Sequence, residues 1–524
     1  MNRLTTHTDI EDARRRIASL LEARAEWFCT ERRGGCRGVG LRRGEWELSA
    51  SPRGLLFSFW GAAGARAWRV VAWESDGEKI SLEAARRMGA ERATLELVPR
   101  ATVAAEKALV SDARRAECER LATLTREALP GAKMKSAALS AGARRGEPGR
   151  YARIRLAHEG AHVFATGPVV QLGAEEADAF LSSALLWFMR AAERRRDART
   201  HRLVLLTPPK LCAATCERLA LLREDLRHVA SVYEVGEGAH TFDEGRRALT
   251  PARVPSLEEL LSRPAPRLAR VAWDERSELA ERIVALAPEV IDVVRARRGE
   301  TLRFRGLPFA RVRRVAGREH LWFGAVRAPR MRLLDGTNWP ELLKLLEELA
   351  AHRHAAPPDR AHALYRAAPE AWLESLLRRD ITRLDPGLRL APLHAQFRTS
   401  RAATGDGANA SRPIDLLALR RDGRLAVIEL KVAEDAALPL QGADYWRRVH
   451  AQHRAGHIRR ARLFGDAPVS EDPPLLYLVA PLLRFHRSFH TLARCLSPHI
   501  ELYRFDLNED WRAGVRVARR CALT

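Results

Sequence analysis

Between residues 412 and 432, two apolar runs flank Arg421-Asp422-Gly423, and three charged residues, Asp415, Glu429 and Lys431, interrupt them. A polar turn ending in glycine between such runs predicts a β-hairpin. The charges constrain the fold further. Buried charge inside an apolar strand is unfavourable unless it is paired or binds a metal, so these three need a partner. If Arg421-Asp422-Gly423 forms a three-residue loop with Gly423 left-handed, Arg420 pairs with Arg424, and Asp415 stands opposite Glu429. Lys431 lies two residues beyond Glu429 and shares its face, because strand side chains have period two. A two-residue loop at Asp422-Gly423 would instead set Asp415 opposite Leu430, on the other face.

Two carboxylates and an amine on one patch suit metal-assisted hydrolysis of a phosphodiester. Hard oxygen anions hold Mg²⁺ (or Mn²⁺), and an ammonium stabilises developing negative charge. Lysine is also a rare choice here. Seven of the 89 basic residues are lysine, and a compact point charge is what this role needs.

At these residues the chain resembles the PD-(D/E)xK nuclease superfamily, with its restriction-endonuclease-like fold. Pro413-Ile414-Asp415 and Glu429-Leu430-Lys431 match its two core motifs, and Gln441 to Tyr445 match the Q-x-x-x-Y extension of its RecB-type branch. The resemblance implies that Asp415, Glu429 and the Leu430 carbonyl are metal ligands and that Lys431 is the catalytic lysine. It implies that Gln441 and Tyr445, four apart on one helix face, touch substrate or orient the site. It also implies an acid on the first core helix, here Glu374, with Glu370 one turn earlier as its rival. The αβββαβ core would comprise a helix over 369–384, a strand over 388–397, the hairpin, the Gln441 helix from 439 to 454, and a strand over 475–480. A further helix over 489–496 and strand over 500–505 would complete it.

At 524 residues the chain is long enough for several domains. Its patterning predicts a mixed α/β, multidomain protein: a mostly β unit over 1–105, an α/β unit over 106–260, a linker and small α+β unit over 261–356, and the nuclease-like unit over 357–524. No Gly-Lys-Ser or Gly-Lys-Thr occurs, so no P-loop and no nucleotide cofactor are expected. The seven cysteines contain no C-x-x-C pair, and no apolar stretch approaches the roughly 18 residues of a membrane span; both point to a cytoplasmic protein without membrane attachment.

A second constellation, His158-Glu159-Gly160-Ala161-His162, matches the H-E-x-x-H zinc-peptidase pattern. Alternation on either side instead predicts two strands, with Glu159-Gly160 at their turn, where the histidines would share no helical face.

The net charge of +23 fits a polyanionic partner. Spread almost evenly and made mainly of arginine, it singles out no site. From Tyr445 to Gly465, however, there is no acid, and Arg447 and Arg448 open a basic run beside the metal patch, so they are read as phosphate contacts. The reading is a metal-dependent nuclease for which DNA is expected over RNA. Residues 1–356 would serve recognition, assembly or regulation, through a homo-oligomer or a protein partner. Its rivals are a non-catalytic nucleic-acid-binding or scaffold protein with a degenerate nuclease fold, and a zinc metallopeptidase using His158, Glu159 and His162.

Overall fold

The computed structural model describes residues 2–4, 6–32, 37–51, 54–61, 64–76, 79–86, 91–99, 103–142, 148–193, 200–236, 249–265, 277–296, 299–315, 318–324, 331–390 and 415–523. Among these the chain builds four sheets in sequence order, with helices packed on them, as mixed α/β patterning predicts. No described helix is long and apolar enough to cross a membrane.

The first sheet has eight antiparallel strands, spanning Asn2–Arg3 to Glu91–Pro99. Helix His7–Glu22 covers it. Thr6 starts that helix by accepting the Asp9 N–H, while Asp9 accepts the Thr6 N–H. Its buried residues Ile10, Ala13, Ile17 and Leu21 recur at helical spacing and meet alternate strand residues such as Phe57, Phe59, Trp68 and Val70.

In the second sheet, strands Ala161–Pro168, His201–Thr207 and Ala230–Val235 run parallel, joined through helices Ala177–Glu193 and Pro209–Leu219. Helix Val103–Ala128 packs on the opposite face. The third sheet has five strands between Ile291–Ala296 and Arg332–Leu333.

The fourth sheet orders Leu388–Leu390, Leu416–Arg420, Leu425–Leu430, Leu475–Pro481, Leu502–Leu507 and Val517–Ala522. Its first three strands are antiparallel, and Leu425–Leu430, Leu475–Pro481 and Leu502–Leu507 run parallel. Helix Pro369–Arg379 packs on one face and helix Leu438–Arg454 on the other, which is why the central strands are apolar on both sides. The expected first helix stops at Arg379, five residues early, because Asp380 caps a separate short turn over Ile381–Arg383. Of the strand expected over 388–397, residues 391–397 lie outside the described residues, as do Pro413 and Ile414.

Two long-range devices hold the elements around the hairpin. One apolar core runs from Phe164 and Phe180 of the second unit to Trp446, Leu476 and Leu502 of the fourth, so helix Leu438–Arg454 is buried almost throughout. On the other side, the fully buried Arg353 donates to the carbonyls of Phe304, Arg305, Leu364 and Ala367. Gly306, at φ +81°, lets this turn touch helix Pro369–Arg379: an added Cβ would lie 1.9 Å from the Ala371 carbonyl oxygen.

Candidate active site

The hairpin takes the longer loop. Leu419 pairs with Leu425 and Leu416 with Ile428. Arg420 N–H donates to the Arg424 carbonyl at 2.8 Å, Gly423 N–H to the Arg420 carbonyl at 2.9 Å, and Gly423 adopts φ +83°. Continuing that register past Leu416 sets Asp415 across from Glu429. Instead of extending the backbone ladder, the Asp415 carboxylate accepts the Leu430 N–H at 2.8 Å.

Three charged groups therefore meet at one end of the parallel strands. Lys431 Nζ lies 3.2 Å from Glu429 Oε1, and its backbone N–H donates to the Val479 carbonyl, fixing it beside the next strand. Burial pushes the Asp415 carboxyl up to about 7, against the pull of the Leu430 N–H. Burial, and then the Asp415 charge, push Glu429 well above the usual carboxylate range. Burial draws the Lys431 ammonium down, but Glu429 and Asp415 outweigh it and leave its pKa raised. With both acids ionised the cluster carries a net negative charge in an apolar setting, which a cation would relieve.

Helix Leu438–Arg454 supplies the next contacts. Gln441 Nε2 donates to Glu429 Oε1 at 2.7 Å and lies 3.3 Å from the Tyr445 hydroxyl. Gln441 and Tyr445 thus share the face that meets the hairpin, as their spacing predicts. Between them Gly442 gives the helix room: an added Cβ would sit 2.5 Å from Leu478 Cδ2. Glu429 Oε1 is held by an amide and an ammonium, while its Oε2 is buried with no hydrogen-bond partner.

Glu374, the acid expected on the first core helix, is held by two arginines. It is buried, with Arg378 Nε at 2.7 Å and both Arg303 terminal nitrogens at 3.4 Å. Arg378 also donates to the Asp415 carbonyl. Two guanidinium groups thus occupy the Glu374 carboxylate, which acts on Asp415 through its charge. Glu370, one turn earlier and half-buried, also bears electrostatically on Asp415. Arg378 is four residues from Glu374 and legible as a helix pair. Arg303 comes from another sheet, and no local pattern announces it.

Arg447 and Arg448, read as phosphate contacts, turn inward. Arg447 is buried and bonds Asp444 at 2.6 Å and Glu217 at 3.1 Å; Arg448 bonds Asp444 at 2.8 Å. Asp444 also meets Arg218 of the second unit at 2.9 Å. Farther along, Arg454 meets Glu258, Arg459 meets Glu471 and Arg462 meets Asp466, while Arg460 donates to the Gly456 and Ala455 carbonyls. Acids from outside the stretch thus pair with most of its arginines.

The H-E-x-x-H match is a turn. Strands Pro148–His158 and Ala161–Pro168 pair with His158 opposite Ala161, and Glu159 and Gly160 have φ +48° and +75°. His162 pairs with Ala157, so the pleat sends His158 and His162 to opposite faces. His162 is buried beside His201, while His158 Nε2 lies 3.1 Å from the Pro130 carbonyl. The peptidase geometry is absent.

Among the described residues no three His, Cys, Asp or Glu side chains cluster as a metal site. The hairpin offers two carboxylates, with the unpaired buried Glu429 Oε2 as the atom that lacks a partner. That oxygen-rich set fits a hard divalent cation.

No family model and no curated protein matches the chain. A solved structure described as "Structure of EndoMS-dsDNA2 complex" matches over 42% of this chain and 90% of its own, at 17% identity and a TM-score of 0.18. A likeness at that score carries no argument about fold or activity.

Proposed function

We propose that the chain is a metal-dependent phosphodiester hydrolase of the PD-(D/E)xK type, acting on nucleic acid and on DNA rather than RNA. The observation that carries this reading is the meeting of Asp415, Glu429, Lys431 and Gln441 at one end of a restriction-endonuclease-like sheet, with Glu429 Oε2 buried and unpaired. Asp415, Glu429 and the Leu430 carbonyl would hold Mg²⁺ or Mn²⁺. Such an ion polarises the scissile phosphate and makes bound water more acidic.

The protein groups have separable tasks. Gln441 fixes the rotamer of Glu429 by holding one oxygen, which leaves the other directed to the ion. Lys431 places a compact positive charge beside the reacting phosphate. Tyr445 supports the Gln441 amide. Arg378, held by Glu374, braces the Asp415 backbone, and Glu370 is the acid of that helix available to the site.

One observation favours a second reading, a non-catalytic nucleic-acid-binding scaffold: Glu429 is almost wholly buried and already paired with Lys431. Cleavage of plasmid and single-stranded DNA separates the two. The hydrolase reading expects cleavage with Mg²⁺ or Mn²⁺ that vanishes in Asp415→Asn and in Lys431→Met. Activity that survives both substitutions would sink it.

A further inference from the structure

We propose that Leu482 and Leu483 form an apolar wedge that enters the base stack of a duplex beside the hydrolytic centre, while Arg487, Arg494 and Arg519 hold the flanking phosphates. This rests on the hydrolase reading and names the substrate feature that the site engages.

Position comes first. Leu430 pairs with Val479 in the parallel ladder, and Lys431 N–H donates to the Val479 carbonyl. Leu482 and Leu483 follow three and four residues later, on the short turn Leu482–Arg484. They therefore sit just past the strand that pairs with the Lys431 end of the hairpin, at the same end of the sheet.

Their exposure is unusual. Leu483 is 69% exposed, the most of any large apolar side chain among the described residues, and its neighbour Leu482 is 44% exposed. The pair does not belong to a frayed tip. Leu483 N–H donates to Glu509 Oε1 at 2.8 Å. Two residues on, Phe485 lies under the Arg504 guanidinium at 4.0 Å and packs edge-on against Phe489 at 4.7 Å. Backbone and following aromatic are anchored, so two leucines are presented to solvent on a fixed support.

The exposed surroundings are mostly basic. Arg487, Arg494 and Arg519 are exposed and have no acidic side chain paired with them among the described residues. Ala480 pairs with Asp506, and Asp506 with Arg519. Across three strand spacings of about 4.8 Å, one row of the pleat thus runs from Lys431 to Arg519. Two acids lie nearby: Asp506, cross-strand from Arg519, is buried and paired with Arg504 at 2.6 Å, and Glu509 is engaged by the loop itself. Guanidinium groups suit phosphates, and apolar side chains beside them suit a base step they can part, as in duplex-kinking proteins.

The test uses the full-length Asp415→Asn chain with duplexes carrying 2-aminopurine at successive positions, whose fluorescence rises on unstacking. A several-fold rise at one step is expected, lost in the added Leu482→Ser/Leu483→Ser change while duplex affinity falls less than about tenfold. In the otherwise unaltered chain, the double serine change should slow cleavage of a paired duplex about tenfold and spare one mismatched at that step. Serine at two exposed positions should leave the melting temperature unchanged. Binding without a fluorescence rise, or a rise that persists in the serine variant, overturns the wedge. So does a dimer, seen by sedimentation, that the serine change abolishes, since the leucines would then be a protein contact. Unstacking without cleavage by the unaltered chain keeps the wedge and sinks the hydrolase reading; failure to bind duplex sinks the wedge, and cleavage of single-stranded DNA then decides the hydrolase reading.

Discussion

The Asp415 carboxylate accepts the backbone N–H of Leu430 at 2.8 Å, the point at which the hairpin ladder gives way to side-chain chemistry. One acid thus ends the strand pair and faces Glu429. Asp415→Asn separates these roles, because the amide oxygen still accepts that N–H. Cleavage should fall on the order of 10²–10³-fold, as when one group stabilising transition-state charge is removed. Melting should stay within a few degrees of the parent. A plasmid-nicking time course beside a thermal melt checks both.

Lys431 Nζ lies 3.2 Å from Glu429 Oε1 in a half-buried pocket. Arginine is planar and larger, so Lys431→Arg should fail to restore activity even though charge is kept. Comparable cleavage by Lys431→Arg and the parent under single-turnover conditions would show that charge alone suffices.

Arg218 joins the second unit to helix Leu438–Arg454 by meeting Asp178 and Asp444, both at 2.9 Å, with its side chain 7% exposed. Arg218→Met would leave the half-buried Asp178 without this partner and the buried Asp444 with Arg447 and Arg448 alone. Stability should drop by about 3–5 kcal/mol in denaturant titration. Adding Asp444→Asn should recover part of that loss, since the two residues are coupled. Strict additivity would show that the pair does not couple the units.

His450 packs against Trp446 at 4.8 Å, and burial, followed by the charges of His453 and Arg454, lowers its pKa to about 4. An unfolded histidine titrates near 6.5. Between those values the unfolded chain binds the proton more readily, so this residue's stabilising contribution is complete above about 6.5 and is lost as pH falls toward 4. His450→Gln should flatten the acid limb of the stability curve relative to the parent. Equal slopes for both chains over that window would contradict the assignment.

Much of the site is legible locally. A three-residue loop with glycine at its left-handed position fixes the hairpin register, and strand period two then sets Glu429 and Lys431 on the face that Asp415 meets. Helical spacing does the same for Gln441 and Tyr445. These relations follow from backbone geometry between near neighbours, which a linear sequence specifies. What the charges at the helices do was decided elsewhere. Glu374 is occupied by Arg303, 71 residues away, and Arg447 is turned inward by Glu217, 230 residues away. The sequence by itself determined which side chains share a strand or helix face. Tertiary packing alone decided which of them are neutralised and which stay open, because the pairing of buried charges depends on which distant elements are brought within a few ångströms.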